Sequence, residues 1–388
     1  MKVGILAPEN SPSWGGVGAY VYNLVKNLPI EIDKHIITIN RDVSDSYDNL
    51  LKNDESCHVH NILDVDRNDS FFYNFRFQFA VLKKFRGLHK KYNFDIIHSH
   101  SGHLPHLYSQ FQRIAPLVVT VHATSMGMNL NIKQYKTEKS STERYMDFFS
   151  KYIKFSEKIS FKKSDKLLPV SKFTLEEITK LYNIDIRRKS VVIPNATDIE
   201  MFKPEKLNYS KETVITFVGR FYAIKGFNTY LSALRNLNKK GYKIKPYLVG
   251  RGNFGSINTY LKSNFSQYQI QDLAPYHEMP KIYNLSDIVI VPSLYDNCPA
   301  VVLEAMSSGK IVIASDTGGI PEIIQNEKNG FLFEKGNAID LEQKIISVLE
   351  KTYDTTNIRN NARNTIIKDY QWKERIKEIS QIYRNVIK

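Results

Sequence analysis

Two carboxylates eight residues apart, Asp296 and Glu304, stand in the segment Pro292-Ser-Leu-Tyr-Asp-Asn-Cys-Pro-Ala-Val-Val-Leu-Glu-Ala-Met-Ser-Ser-Gly309. Pro299 suits the first turn of a helix, Asp296 or Asn297 can cap it, and Gly309 ends it. Asp296 then sits in a loop above a strand end, and Glu304 lies about a turn and a half deeper in the helix. At that spacing one carboxylate can hold sugar hydroxyls and the other ribose hydroxyls, while the helix end faces phosphate. A pure capping role for Asp296 is the alternative. Glu304, among the apolar residues Ala300 to Met306, is harder to account for as a solvated charge.

Two cations form the complementary half. An apolar run ends at Gly219, Arg220 follows, and Lys225-Gly226 opens a helix over Phe227 to Leu237. Fixed positive charges five residues apart beside a helix N-terminus suit a diphosphate, because they stabilise the charge that grows when a nucleoside diphosphate leaves. Taken alone, surface ion pairs explain Arg220 and Lys225 as well. Near the start of the chain, Ala7-Pro-Glu-Asn-Ser-Pro-Ser-Trp-Gly-Gly-Val-Gly18 precedes a helix over Ala19 to Leu28. Its glycines let backbone amides approach an anion or hydroxyl closely. A tight turn without a ligand fits the same residues, and the spacing is neither the dinucleotide fingerprint nor the P-loop.

His98-Ser-His100-Ser-Gly-His103-Leu-Pro-His106 places four imidazoles within nine residues. Zinc ligation is one reading, but no neighbouring Cys or carboxylate completes the set, so acceptor contacts or helix capping are expected and no metal is. The net charge of +14 suits nucleic acid, an anionic membrane surface or an anionic substrate equally. Phe71 to Arg86 and Lys151 to Lys163 mix rings with basic residues at helical spacing. Each segment either lies on a membrane with its rings down or is a surface helix with its rings in the core. No nucleic-acid recognition module or aromatic RNP-like segment accompanies the charge, so nucleic acid is not an expected partner.

The elements that must position these residues alternate. Near-continuous Val/Ile/Leu runs predict strands at Lys2 to Ala7, His35 to Asn40, Phe94 to Ser99, Leu117 to His122, Lys166 to Val170 and Ser190 to Pro194. A second series covers Thr213 to Gly219, Ile244 to Gly250, Asp287 to Pro292, Ile311 to Ser315 and Gly330 to Phe333, with helix-like stretches between. The 388 residues exceed one core. Two doubly wound domains are therefore expected, at 1–195 and 213–368, joined by a polar linker at 196–212 and followed by a closing helix at 369–388. No apolar run approaches the ~18 residues of a membrane span. Two cysteines, Cys57 and Cys298, make no disulfide scaffold. Both features, with no secretory layout at Met1 to Ala7, lead us to expect a cytoplasmic protein.

The segment from Asp296 to Glu304 resembles the E-x7-E motif of the retaining family 4 glycosyltransferases of GT-B fold. The surrounding residues agree in order: Gly15-Gly16, Val121-His122-Ala123, Ile193-Pro-Asn195, Val218-Gly-Arg220, Lys225-Gly226, Val249-Gly-Arg-Gly252 and Ser286 to Ser293. The resemblance spans essentially the whole chain. It implies an α/β fold of two Rossmann-like domains facing across a cleft, an acceptor-binding first domain and a nucleotide-sugar-binding second. It further implies that Arg220 and Lys225 hold the donor diphosphate, Glu304 the ribose and Asp296 the sugar hydroxyls, with His122 beside the anomeric carbon. Gly15, Gly16, Asn195, Gly250, Pro299, Ala300 and Val301 would complete the donor site, and no metal or other cofactor is needed.

Two departures fall where the donor sugar is read. Asp296 is one methylene shorter than the usual glutamate, and Cys298-Pro299 stands where many members carry Phe-Gly, which removes a backbone donor. The expected reaction is transfer of a hexose or N-acetylhexosamine from a UDP- or GDP-sugar to a saccharide or lipid-linked acceptor. Front-face attack gives retention without a protein base, and a covalent route through a carboxylate is the other possibility. Competing readings are a sugar-nucleotide epimerase or inverting transferase of the same fold, or a basic membrane- or nucleic-acid-binding protein.

Overall fold

The computed structural model describes residues 1–66, 69, 73–100, 114–134, 147–205 and 212–387. The chain divides into two compact units. Met1–Leu130, Lys139–Pro194 and Trp372–Lys388 form the first, and Asn131–Glu138 with Asn195–Gln371 the second.

Among the described residues, the first unit builds a six-stranded parallel sheet from β1 (Lys2–Leu6), β2 (Asp33–Asn40), β3 (Cys57–Asp64), β4 (Ile96–Ser99), β5 (Leu117–Val121) and β6 (Lys166–Pro169), in the order β3-β2-β1-β4-β5-β6. Strands covered on both faces must be apolar throughout, and β5, Leu-Val-Val-Thr-Val, is buried at every position. Helices α1 (Gly16–Asn27), α2 (Tyr73–Tyr92), α3 (Ser150–Lys163) and α4 (Lys172–Tyr182) pack on it. Tyr73, Phe77, Val81 and Phe85 recur every four residues along α2 and bury into the core. The basic-aromatic helices divide their rings: Phe77, Phe85 and Phe161 are interior, whereas Phe75, Phe79, Tyr152 and Phe155 are exposed. Neither of the two sequence readings describes them fully.

The second unit repeats the plan with β7 (Thr213–Val218), β8 (Ile244–Val249), β9 (Gln269–Gln271), β10 (Ile288–Val291), β11 (Ile311–Asp316) and β12 (Phe331–Glu334), in the order β12-β11-β10-β7-β8-β9. Its helices include α5 (Phe227–Lys239), α6 (Phe254–Asn264), α7 (Met279–Asn284), α8 (Ala300–Ser307), α9 (Ala338–Leu349) and α10 (Thr355–Asp369). The last helix, α11 (Trp372–Ile387), groups with the first unit, where the Tyr383 hydroxyl and His98 Nδ1 are 2.6 Å apart.

In both sheets the winding direction reverses once, between β1 and β4 and between β7 and β10. Loops leaving the carboxyl ends of strands at such a switch point diverge to opposite faces and leave a crevice, where open α/β sheets bind ligands. Both glycine- and cation-bearing loops begin there, after β1 and β7.

Three expectations need correction. Ser190 to Pro194 is not a strand: Val191 N and Ile193 N donate to Leu167 O and Pro169 O of β6, but only an isolated bridge forms. The strands β3 and β9 were not expected. The linker's first part is built into the second unit, since Phe202 is fully buried and its carbonyl accepts from Ser307 Oγ at 2.7 Å. No helix among the described residues is long and apolar enough to cross a membrane.

Candidate functional site

The loops after β7 and β10 are locked together before any side chain is considered. Leu294 N donates to Ile224 O at 2.9 Å. Gly226 caps α5 with a left-handed φ of 67°, and a Cβ there would lie 1.6 Å from Pro292 O. Only glycine allows this approach. Gly250 is equally constrained, at φ 145° with a Cβ position 1.8 Å from Gly219 O. On this backbone Lys225 ends a 3-10 turn over Ala223–Lys225, and its Nζ donates to Asp296 Oδ2 at 2.6 Å. Ser293 Oγ donates to the same oxygen at 3.1 Å. Arg220, at the mouth of the loop, is exposed.

Asp296 does not cap α8. Pro299 occupies the cap position and no side chain bonds the first turn, so Ala300 and Val301 begin a helix whose first amides lack intrahelical partners. Asn195 Nδ2 donates to Cys298 O at 2.6 Å and thereby fixes the turn before it. Glu304 is 5% exposed, and its Oε2 accepts from the Tyr283 hydroxyl at 2.6 Å. Burial pushes its carboxyl up to about 7, against the pull of hydrogen bonds from Tyr283 and Tyr276. The structure thus joins Lys225 to Asp296 and holds Glu304, buried on α8, to Tyr283 and Tyr276.

In the first unit, α1 begins at Gly16, three residues earlier than expected. Gly16 is exposed and nothing lies within 4 Å of where its Cβ would be. The preceding loop is tied down: Gly18 N donates to Glu9 Oε2 at 2.7 Å, Ser11 Oγ to Asp45 Oδ1 at 2.7 Å, and the Tyr47 hydroxyl to Gly18 O at 2.9 Å. A Cβ on Gly15 would lie 3.4 Å from the Glu9 carboxylate oxygens, so the carboxylate fills the space beside this glycine. An internal carboxylate therefore already takes one amide of this helix start. Beyond the ends of β2 and β3 lies an open cavity of about 790 Å³, lined by Arg41, Asp48, Asn61, Asp64 and Arg76 among others. Trp14, from the glycine loop, stacks on the Arg41 guanidinium at 3.6 Å.

His122 Nε2 is 3.3 Å from His100 Nδ1, and its ring meets Tyr20 edge-on at 4.8 Å. Burial pushes His122 down to about 4 and His98 to about 3, so both rings are neutral near pH 7. His98 uses both nitrogens, on Tyr383 and on Thr120 Oγ1 at 2.7 Å, which leaves none for the zinc site weighed from sequence. His103 and His106 lie outside the described residues.

Comparison with known proteins follows the same division. A family model described as "Glycosyltransferase Family 4" matches residues 14–201, and one described as "Glycosyl transferases group 1" matches 198–365. An uncharacterized glycosyltransferase of Methanocaldococcus jannaschii is 25% identical, covering 99% of this chain and 98% of its own. The UDP-Gal:alpha-D-GlcNAc-diphosphoundecaprenol alpha-1,3-galactosyltransferase of Escherichia coli is 27% identical over 77% of each chain. Among solved structures, Anabaena HepE in complex with UDP-glucose superposes with a TM-score of 0.76 at 17% identity, covering 99% of this chain and 100% of that one. The chain belongs to the family 4 glycosyltransferases of GT-B fold.

This glycosyltransferase carries supporting residues that motif spacing misses. Tyr283 stands 21 residues before Glu304 on another helix, and nothing local announces the pairing. Glu9 is visible only as one more polar residue of a loop. Sequence reasoning also passes over one Asp-x-Asp spacing, Asp64-Val65-Asp66 at the end of β3. There Asp64 Oδ1 accepts from Asn40 Nδ2 at 2.8 Å and Val65 is buried.

Proposed function

We propose that this glycosyltransferase moves a hexose or N-acetylhexosamine, with retention, from a UDP- or GDP-sugar to a saccharide or lipid-linked acceptor in glycan or cell-surface polysaccharide synthesis. The observation that carries the reading is the Lys225–Asp296 pair at the β7/β10 switch point, flanked by the N-termini of α5 and α8. A pyrophosphate there meets Lys225, Arg220 and helix amides, while Asp296 is left to hydroxyls of the sugar. Glu304 takes the ribose, with Tyr283 fixing its carboxyl. Asn195, Gly250 and Pro299 shape the backbone around the donor.

In the transfer, the acceptor oxygen bonds to the anomeric carbon as the bond to the diphosphate breaks. The leaving phosphate oxygen takes the acceptor's proton, and Arg220 and Lys225 stabilise the charge that remains. His122, neutral at working pH, donates or accepts one hydrogen bond at the sugar. No metal is assigned to this step. The acceptor side belongs to the first unit, where the 790 Å³ cavity offers carboxylates, amides and guanidinium groups to hydroxyls. A membrane-bound acceptor fits the exposed Phe148, Phe149, Tyr152 and Phe155, which stand among Lys151, Lys154 and Lys158. Support for this also comes from the galactosyltransferase relative, whose name specifies a UDP-sugar and a diphosphoundecaprenol acceptor.

The test is product mass analysis with a panel of UDP- and GDP-sugars and saccharide or polyprenyl-diphosphate acceptors. It is paired with thermal shifts on UDP, GDP, ADP and short oligonucleotides. A hexose-sized mass gain with an α-linked product supports the reading. An inverted product, free epimerised sugar nucleotide, or stabilisation by oligonucleotides alone overturns it.

A further inference from the structure

A second cluster of chemically capable side chains lies at the opposite end of the first unit's sheet, where β2 and β3 begin. Asp33 and His35 alternate onto one face of β2, and His58 and His60 onto the same face of β3, because the parallel register pairs His35 with His58. Asp33 Oδ1 is 3.2 Å from His35 Nε2 and 3.1 Å from His58 Nε2. The three atoms lie within 4.8 Å of one another. Both Asp33 Oδ1 and His35 Nε2 are buried, and neither short approach has the direction of a well-aligned hydrogen bond. Ligand atoms about 2.0–2.2 Å from one tetrahedral ion are separated by about 3.3 Å, which is the spacing of the carboxylate oxygen from both imidazoles.

The surroundings complete the arrangement. His35 Nδ1 is 2.9 Å from His60 Nε2. A ligating histidine needs such a partner for its other nitrogen, which fixes the ring and leaves Nε2 with its lone pair outward. The Tyr92 ring packs tilted against His35 at 4.5 Å and the Phe94 ring edge-on at 5.1 Å, which keeps water from that side. Asp33 and His58 are 34% and 46% exposed, which leaves an entry path and a free coordination position for water. Cys57 points to the other face of β3 and is not part of the set. Lys2 and Lys91 are the nearby cations, felt by His35 and His60 respectively.

We propose that Asp33, His35 and His58 bind one divalent transition-metal ion of the zinc class, with His60 as the outer partner of His35, and that the ion clasps edge strand β3 to β2. Nitrogen-rich ligands with a single carboxylate favour such an ion over calcium or magnesium, which take oxygen. The site is remote from the loops at the carboxyl ends of the strands and does not rest on the reaction assigned above.

The test uses the full chain without a polyhistidine tag, stripped by a chelator and titrated with zinc against a chromophoric competitor. One ion per chain is expected, with affinity at least tenfold weaker in Asp33→Asn and in His58→Ala. Both positions are partly exposed, so the variants fold. Cobalt-loaded protein should show the visible bands of a four-coordinate site, absent from the double variant. No stoichiometric zinc in the wild type, or unchanged affinity in both variants, overturns the proposal.

Discussion

Lys225 Nζ donates to Asp296 Oδ2 across 2.6 Å and so ties the loop after β7 to the loop after β10. Lys225 is 38% exposed and Asp296 15%, so the pair contributes little to stability, about 1 kcal/mol or less. Its value lies in holding a cation where phosphate charge develops. Lys225→Ala should therefore lower kcat/KM by about 10²–10³-fold or more while moving the melting temperature little. Steady-state kinetics beside calorimetry checks this, and near-normal turnover removes Lys225 from the site.

Glu304 offers a prediction with a definite sign. Its folded carboxyl titrates near 7 and its unfolded one near the ordinary 4.5, so the native state holds the proton more tightly. The stabilisation is complete below about 4.5 and is lost as pH rises through 7. Glu304→Gln keeps an acceptor for the Tyr283 hydroxyl but cannot ionise. Relative to wild type it should gain stability with rising pH, by about 3 kcal/mol in all. Denaturant midpoints from pH 4 to 9 measure the difference; a flat one refutes the assignment. Its activity should still fall sharply, since the neutral amide holds ribose hydroxyls less strongly than a carboxylate.

The histidines of the first unit act in the opposite direction. His98 and His122 titrate in the fold near 3 and near 4, below the ordinary 6.5, because burial disfavours the charged ring. Unfolded chains take up these protons first, so stability is full above 6.5 and falls as pH drops toward 4. His98→Gln should move acid unfolding to lower pH, even if it costs stability at neutral pH by loosening Tyr383 and Thr120. Far-ultraviolet circular dichroism followed from pH 7 to 3 decides it.

These contrasts mirror what the residues announce locally. Central strand β10 is apolar at every position and β5 at all but Thr120, and both stand out in the sequence. Edge strand β3, Cys-His-Val-His-Asn-Ile-Leu-Asp, is half solvated, and β9 is three residues long, so neither carries that signature. At the site, Arg220, Lys225, Asp296 and Glu304 are legible because glycine and proline punctuate the loops around them. Tyr283 beneath Glu304 and Glu9 beneath Gly18 are not, because their partners are brought by the sheet rather than by spacing.

The aromatic residues around α3 give a surface prediction. Phe148 is 83% exposed and Phe155 62%, an unusual display for rings with lysines between them. Replacing both by serine should reduce co-sedimentation with vesicles containing anionic lipid several-fold and leave transfer to a short soluble acceptor unchanged. Equal sedimentation of both proteins would show that the rings do not meet lipid.

Gly226 tests whether backbone geometry or charge alone makes the donor site. Its φ of 67° strains any other residue, and a methyl group would fall 1.6 Å from Pro292 O. Because Pro292 leads into the loop that carries Asp296, relieving that clash must part the β7 and β10 loops and draw Lys225 away from its partner. Gly226→Ala adds no charge and removes none. It should nonetheless weaken nucleotide-diphosphate binding by at least tenfold, together with a loss of stability of about 1–3 kcal/mol for the strained conformation. Calorimetric titration with UDP and GDP on folded variant protein separates the two effects. Unaltered affinity would mean that the cations act without the framework that positions them.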